Sequence, residues 1–165
     1  MPLKRCYSCK HTGGLTKGAF VVNFNVRNSD RQAVSEALSK IGTGPFHVTD
    51  SRQNWVTVYE EHASEQNEVW IEQLAEKLSS CLKTTCVAFM VHDSDIACYW
   101  ICENGKQLDQ YNSCPDYFED VSPAEKRRLK GQADVFLRYC RQGVTRAQVE
   151  EALRSDVTFA EDIIS

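Results

Sequence analysis

Proline is scarce in this sequence, four residues in 165, and glycine is modest at eight. That excludes a collagen-like or low-complexity chain, whose composition is dominated by those residues. Long apolar runs are missing too. The longest, Cys86-Val87-Ala88-Phe89-Met90-Val91, is a strand-length segment, far short of the ~20 apolar residues that cross a bilayer. The opening Met1-Pro2-Leu3-Lys4-Arg5-Cys6 has no apolar h-region, so the reading expects no secretory signal peptide, no membrane partner and a cytoplasmic chain. An excess of positive charge is also absent: 19 Lys and Arg against 23 Asp and Glu give a net charge of −4. This argues against a dedicated nucleic-acid binder, though not against a local basic patch. No Gly-x-Ser-x-Gly, Walker loop, dinucleotide fingerprint or His-Glu-x-x-His occurs, so no familiar nucleophile, phosphate or zinc-protease motif is on offer. Nothing in the sequence calls for a cofactor.

What is present is an ordinary globular composition, 42% hydrophobic and 25% charged, in a length that suits one domain of about 100–200 residues. Cysteine is the exception, with eight residues. Cys86, Cys98 and Cys102 lie in apolar strand-like runs, while Cys81 and Cys140 end helical patterns. These five are expected to act as small buried hydrophobes in a reducing compartment.

The periodicity divides the chain. Residues 1–17 have none and read as a basic arm. Ala19–Val26 alternates as a first strand. Ser29 followed by Gln32 predicts a capped helix whose stripe is Ala33, Val34, Ala37, Leu38 and Ile41, ended by Gly42 in a left-handed cap. Strands are expected over Phe46–Thr49 and Trp55–Tyr59. A second helix carries Trp70, Ile71, Leu74, Leu78 and Leu82 at helical spacing. Three more strands follow, Cys86–Val91, Ile96–Cys102 and Gln107–Tyr111. Asn104-Gly105 between the last two suits a two-residue type I′ hairpin, which needs φ > 0 at both positions.

Each half reads as helix, strand, Asp-Ser turn and strand, with Asp50-Ser51 matching Asp93-Ser94. The predicted order is βαββαβββ, a ferredoxin-like or related α+β sandwich with an antiparallel or mixed sheet. From Ser122-Pro123-Ala124-Glu125 the pattern turns helical through Leu129, Ala133, Phe136, Leu137 and Cys140, then again from Thr145 and at 159–164. The predicted organisation is an arm over 1–17, a sandwich over 18–118 and a helical extension over 119–165 packed on it. Charge is segregated accordingly: +5 over 1–31, −8 over 32–118 and −1 beyond.

Several groups could carry chemistry. Cys6 and Cys9, with His11, have a zinc-like spacing, but a structural zinc needs four ligands. Cys114 or His47 would have to come from afar, so two solvated thiols are the expectation. His92-Asp93-Ser94-Asp95 joins two apolar strands and could hold a divalent cation or supply an acid–base pair. Asp and Ser are equally the residues that build turns. If Asn104-Gly105 is a two-residue loop, Trp100 lies opposite Asp109 and Cys98 opposite Tyr111, so that one sheet face carries aromatics and a carboxylate. That face is either covered by the C-terminal helices or open to a flat ligand or peptide. Lys126, Arg127, Arg128 and Lys130, with the arm, could touch phosphates, although such a run is usually a solvated helix face.

Residues 86–118, with His-Asp-Ser-Asp at 92–95, Tyr99-Trp100, Asn104-Gly105 and Asp-x-Tyr-Asn-Ser-x-Pro at 109–115, resemble segments of an uncharacterised bacterial domain family with no assigned function. The resemblance covers about a fifth of the chain and implies no activity. The reading ranked first is a non-enzymatic binding or regulatory module that meets a protein partner or small ligand through an aromatic and acidic sheet face. Its candidate residues are His92, Asp93, Asp95, Trp100, Asp109 and Tyr111. The alternatives are a small metal-assisted hydrolase centred on the His92–Asp95 turn and nucleic-acid contact through the basic arm.

Overall fold

The computed structural model describes residues 18–154. Six strands and five α-helices appear in the order β1 (Val21–Arg27), α1 (Arg31–Ile41), β2 (Phe46–Val48), β3 (Trp55–Glu60), α2 (Glu68–Leu82), β4 (Thr85–His92), β5 (Ile96–Glu103), β6 (Lys106–Asn112), α3 (Pro123–Arg128), α4 (Ala133–Phe136) and α5 (Arg146–Arg154). Short 3₁₀ turns occupy His62–Glu65 and Leu137–Tyr139. The strands form one antiparallel sheet in the order β2-β3-β1-β4-β5-β6. The fold is therefore α+β with a fully antiparallel sheet. No helix of the described residues is long and apolar enough to cross a membrane.

Internal contacts divide the chain into two compact units, one of Val21–Met90 with Tyr99–Leu108, the other of residues 18–20, Val91–Cys98 and 109–154. In the first unit, β1 buries Val22, Phe24 and Val26 on alternate positions, the signature of a strand with one face in the core. Its other face is polar: Thr57 Oγ1 donates to Asn25 Oδ1 at 2.9 Å, and Asn25 Nδ2 to Asn23 Oδ1 at 2.7 Å. β3 pairs with β1 and β2 on its two sides, with Phe24 opposite Val58 and Val48 also opposite Val58. α1 and α2 pack on each other, α1 on β2 and α2 on β1. They present Val34, Ala37 and Leu38, and Ile71, Leu74, Ala75 and Leu78.

The caps show how the helices are placed. α1 starts one residue later than its capping-box pattern suggests. Asp30, in extended conformation, accepts from the backbone N–H of Ala33, a carboxylate taking up a helix-end donor as a hydroxyl would. Gly42 ends that helix at φ 78° with its N–H on Leu38 O, as expected. α2 is capped by Asn67 and ends at Lys83 in the left-handed region. Trp70 is not in the helix's buried set. It is half-buried, and its indole donates to Glu60 Oε2 at 3.1 Å. Glu60 also takes the N–H of Ala63 at 2.9 Å and is itself buried, while its Oε1 has no hydrogen-bond partner.

Three hairpin turns share one conformation. Gln53-Asn54, Asp93-Ser94 and Asn104-Gly105 all have positive φ at both residues, the requirement of a type I′ turn and a match to the twist of the flanking strands. The Asn104-Gly105 expectation is met, whereas Asp50-Ser51 does not form the turn in the first half. Arg52 and Trp55 exchange both backbone hydrogen bonds around Gln53-Asn54 instead. The two Asp-Ser pairs are therefore not structural equivalents. Asparagine tolerates left-handed backbone better than serine does, and it pulls the turn towards the strand that follows.

In the second unit, Ser122 caps α3 through Oγ on the N–H of Glu125, with Pro123 in the first turn. The helical stripe from Leu129 to Cys140 is interrupted. Gly131 takes φ 67°, which helical backbone cannot follow. Lys130 instead makes a bridge to Tyr111, and the N–H of Asn112 donates to Leu129 O at 2.9 Å. α5 begins with a reciprocal cap, Gln148 Oε1 on the N–H of Thr145 and Thr145 Oγ1 on the N–H of Gln148, as its Thr-x-x-Gln spacing predicts. Cys6, Cys9, His11 and the helical pattern over 159–164 lie outside the described residues.

Candidate functional site

The connection between β4 and β5 gathers more chemistry-bearing side chains than any other turn singled out from the sequence. Asp95 N–H donates to His92 O at 3.0 Å and closes the turn. Residues 18–20 run beside it. Ala19 N–H donates to Ser94 Oγ at 2.8 Å, and Ser94 N–H donates back to Ala19 O at 3.3 Å. The approach is so close that a Cβ on Gly18 would stand 2.4 Å from the carbonyl carbon of Asp93. Only glycine fits there without backbone movement. Ala19 packs on Val91 and Ala97 beneath the turn.

This pairing brings Phe20 to His92. The rings meet edge-on at 5.0 Å between centroids. From the loop after β6, Tyr117 and Phe118 approach the same imidazole at 5.9 and 5.1 Å, also edge-on, and each other at 4.9 Å. Such geometries align the positive edge of one ring with the negative face of another. Tyr117 Oη donates to Asp95 Oδ2 at 3.3 Å, which ties the loop to the turn. The cluster is not sealed: Phe20 is 56% and Phe118 61% exposed. Asp93, Glu119 and Asp120 are exposed beside them, and Asp95 and Asp116 are half-buried. Asp116 forms an ion pair with Lys126, whose ammonium it holds above its ordinary pKa through a side-chain hydrogen bond.

The candidate residues from the sequence thus separate. His92, Asp93 and Asp95 come together at this turn. Trp100, Asp109 and Tyr111 do not form an open surface, being 0%, 5% and 4% exposed. The expectation of an aromatic sheet face available to a flat ligand is corrected on that ground. β4 and β5 are buried along almost their whole length on both alternating faces. Asp109 is occupied structurally: its Oδ2 accepts the N–H of Gln132 at 2.8 Å and its Oδ1 the side-chain amide at 3.3 Å. Next to it Gln110 accepts from Arg128 at 2.6 Å. The guanidinium of Arg154 donates to the carbonyls of Lys130 and Gly131.

The metal-assisted alternative draws no geometric support from the turn. Ser94 Oγ is committed to the backbone of Ala19, and Asp95 to Tyr117. Among the described residues no group of three or more His, Cys, Asp or Glu side chains is placed to hold a metal ion.

The amino-acid sequence does not connect Phe20 and Phe118 with this cluster, because neither belongs to the turn itself. Phe20 reads as part of the first strand, and Phe118 falls between the last predicted strand and the helical pattern from Ser122. The available signal was the exposed company of Phe118, the acidic Glu119-Asp120 that follows it.

The cysteines divide as well. Cys86, Cys98, Cys102 and Cys114 are buried free thiols, Cys140 is half-buried and Cys81 is exposed. Cys81, expected in the core, ends α2 on its wet side. Burial pushes the Cys102 thiol up to about 12, with Glu76 and Glu72 adding to the effect. Burial raises Cys86 also, and Cys102 adds to it. Tyr111 is likewise raised by burial to about 12, against a lowering by Arg154 and a further small rise from Cys98. Each folded pKa lies above the unfolded one, so both states hold the proton below about pH 9. Above it, the unfolded chain loses protons first and stability falls as pH rises. The urea midpoint is therefore expected to be insensitive to these groups up to about pH 9 and to decline steadily towards pH 12. A midpoint unchanged between pH 9 and 11 would contradict these shifts.

Comparison of the chain with protein-family models, with curated proteins and with solved structures finds no match.

Proposed function

We propose that this chain is a non-enzymatic binding module that receives a segment of a partner protein on the aromatic patch at the β4–β5 turn. The observation that carries the reading is the convergence of Phe20, Tyr117 and Phe118 on His92 with two of the rings more than half exposed. Exposed aromatics held together from three chain segments are what binding hot spots are made of, because their apolar area is already ordered before the partner arrives. Scattered single apolar residues on a surface need no such explanation; a cluster does. In fold, the order β2-β3-β1-β4 with α1 and α2 as the crossovers supports a ferredoxin-like core, with β5 and β6 added beyond β4.

The reading is tested by selecting random twelve-residue peptides displayed on phage against the full chain. Peptides that bind the wild type are expected to lose about tenfold in affinity, some 1.4 kcal/mol, when Phe20 and Phe118 are both replaced by alanine. Both side chains are exposed, so the melting temperature should stay within a few degrees. Selected peptides whose binding is indifferent to the double substitution would overturn the proposal.

A further inference from the structure

We infer that Glu60 and His62 form a carboxylate–imidazole pair, closed across Gly44, that presents His62 Nε2 as a proton-accepting, electrophile-reactive nitrogen. The pair lies wholly within the first unit and does not depend on the patch at the β4–β5 turn. Glu60 ends β3 and is 2% exposed. Its Oε2 is pinned by two donors, the N–H of Ala63 at 2.9 Å and the indole of Trp70 at 3.1 Å. Its Oε1 is buried with no hydrogen-bond partner among the described residues. A buried polar atom left unmet costs about 1–3 kcal/mol, which favours any donor that can reach it. One candidate donor stands at the same point. A Cβ on Gly44 would lie 3.3 Å from Glu60 Oε1 and 3.5 Å from His62 Nδ1. The two atoms therefore flank the space that a side chain at 44 would fill, and glycine leaves that space empty. The strands hold these residues there: Phe46 is opposite Glu60 in the β2–β3 register, and Glu61 N–H donates to Pro45 O at 3.0 Å.

His62 opens the 3₁₀ turn His62–Glu65 at an exposed position, and its ring meets that of Trp70 at 5.5 Å between centroids. An exposed side chain turns about its own bonds within nanoseconds, so His62 can close on a carboxylate that is itself held still. The chemistry of the two atoms sets the direction of the bond. An ionised carboxylate only accepts, so Nδ1 must carry the hydrogen. Neutral imidazole has one such hydrogen, and Nε2 is then left as a bare lone pair. Free histidine favours the opposite arrangement, with the hydrogen on Nε2. Fixing the tautomer with a hydrogen-bonded carboxylate raises the basicity of the far nitrogen and readies it for a proton or an electrophile. No charged neighbour takes the place of His62. Lys77 stands over the Trp70 ring, 5.9 Å from its centroid, and not on Oε1. Glu61 and Glu65 of the same turn are exposed, and a carboxylate cannot donate to another. Glu60 is thus a positioning residue, and His62 is the group that meets the reactant.

Long-range proton–nitrogen correlation spectra of the full chain, labelled with nitrogen-15, read the tautomer at about pH 9, where free imidazole is neutral. His62 is expected with its hydrogen on Nδ1, beside an ordinary Nε2–H form for His47, the exposed imidazole of β2. Glu60→Gln should reverse His62, because the amide oxygen can keep Ala63 and Trp70 while the NH₂ donates to Nδ1. Gly44→Ala should reverse it too, by placing a methyl between the pair. Gly44 is not among the positive-φ glycines, so its backbone admits alanine. This second variant leaves Glu60 and its two donors in place, and its spectrum decides the pair if Glu60→Gln fails to fold. Diethyl pyrocarbonate then tests the nitrogen itself. The Nε2 lone pair bonds a carbonyl carbon, and the ethyl carbonate leaving group takes up the Nδ1 proton and falls apart to ethanol and carbon dioxide. Followed site by site by mass spectrometry, His62 is expected to react at least about threefold faster than His47, and either substitution should erase the difference. A wild-type His62 with its hydrogen on Nε2 would overturn the pair. The expected tautomer in a His62 no more reactive than His47 would overturn its role as a reactive nitrogen.

Discussion

Trp100→Ala is expected to cost about 3–5 kcal/mol of stability, the range for emptying a fully buried aromatic site. Trp100 heads the largest side chains with no measurable exposure, so little water can follow the substitution in and the surrounding core can collapse only partly. Trp100→Phe should behave differently. The indole Nε1 is buried without an acceptor, and an unmet buried donor costs about 1–3 kcal/mol. Phenylalanine removes that donor along with part of the ring area. The two effects oppose, and the expected net loss is below about 1.5 kcal/mol. Urea titration with a shared m-value for all three proteins reads the difference. A phenylalanine variant as unstable as the alanine variant would show that the N–H has an acceptor after all. The same pair of variants separates Trp100 from the ligand-stacking role its sequence context suggests, since a stacking residue would lose binding with little loss of stability.

The second large effect falls on Asp109. Asp109→Ala deletes the acceptor of both the backbone N–H and the side-chain amide of Gln132. It leaves the N–H of Gln132 without that partner in a part-buried position. Hydrogen bonds to a charged acceptor are worth about 1.5–3 kcal/mol, and an orphaned donor adds to the loss. The expected destabilisation is about 2–4 kcal/mol, concentrated in the segment from Leu129 to α5. Hydrogen exchange should therefore accelerate over 129–154 at denaturant concentrations where the amides of β1 and β3 remain protected. Asp109→Asn keeps one good acceptor and should lose less than half as much. Uniform acceleration across both units would show that the carboxylate supports the whole chain rather than this segment.

These two residues mark the limit of what the primary structure discloses. Where a feature depends on neighbours close along the chain, it is legible. Gly42 ends α1, Ser122 with Pro123 starts α3, Thr145 with Gln148 starts α5 and Asn104-Gly105 turns the hairpin. Each rests on a backbone preference or on a hydrogen bond within a few residues. The same logic errs by one residue at Asp30 and by a few at Gln53-Asn54, because several polar residues in a row can all cap or turn. The site was half legible. His92, Asp93 and Asp95 stand out as a cluster in sequence, but the rings that complete them come from Phe20 and from Tyr117-Phe118.

The shortage of proline and glycine, the absence of a membrane-length apolar run and the alternation of periods two and 3.6 were enough to determine the kind of chain and the sequence of its elements. Those are properties of composition and of local backbone energetics. Only the tertiary structure decided which aromatics meet water. Trp100 and Tyr111 are buried while Phe20 and Phe118 are exposed, although Phe20 lies in an apolar run and Tyr111 between polar neighbours along the chain. Burial is a matter of what distant segments cover. Here the Ala19–Ser94 pairing, which spans 75 residues, places Phe20, and the anchoring of Gln132 by Asp109, which spans 23, holds the segment that bridges to Tyr111.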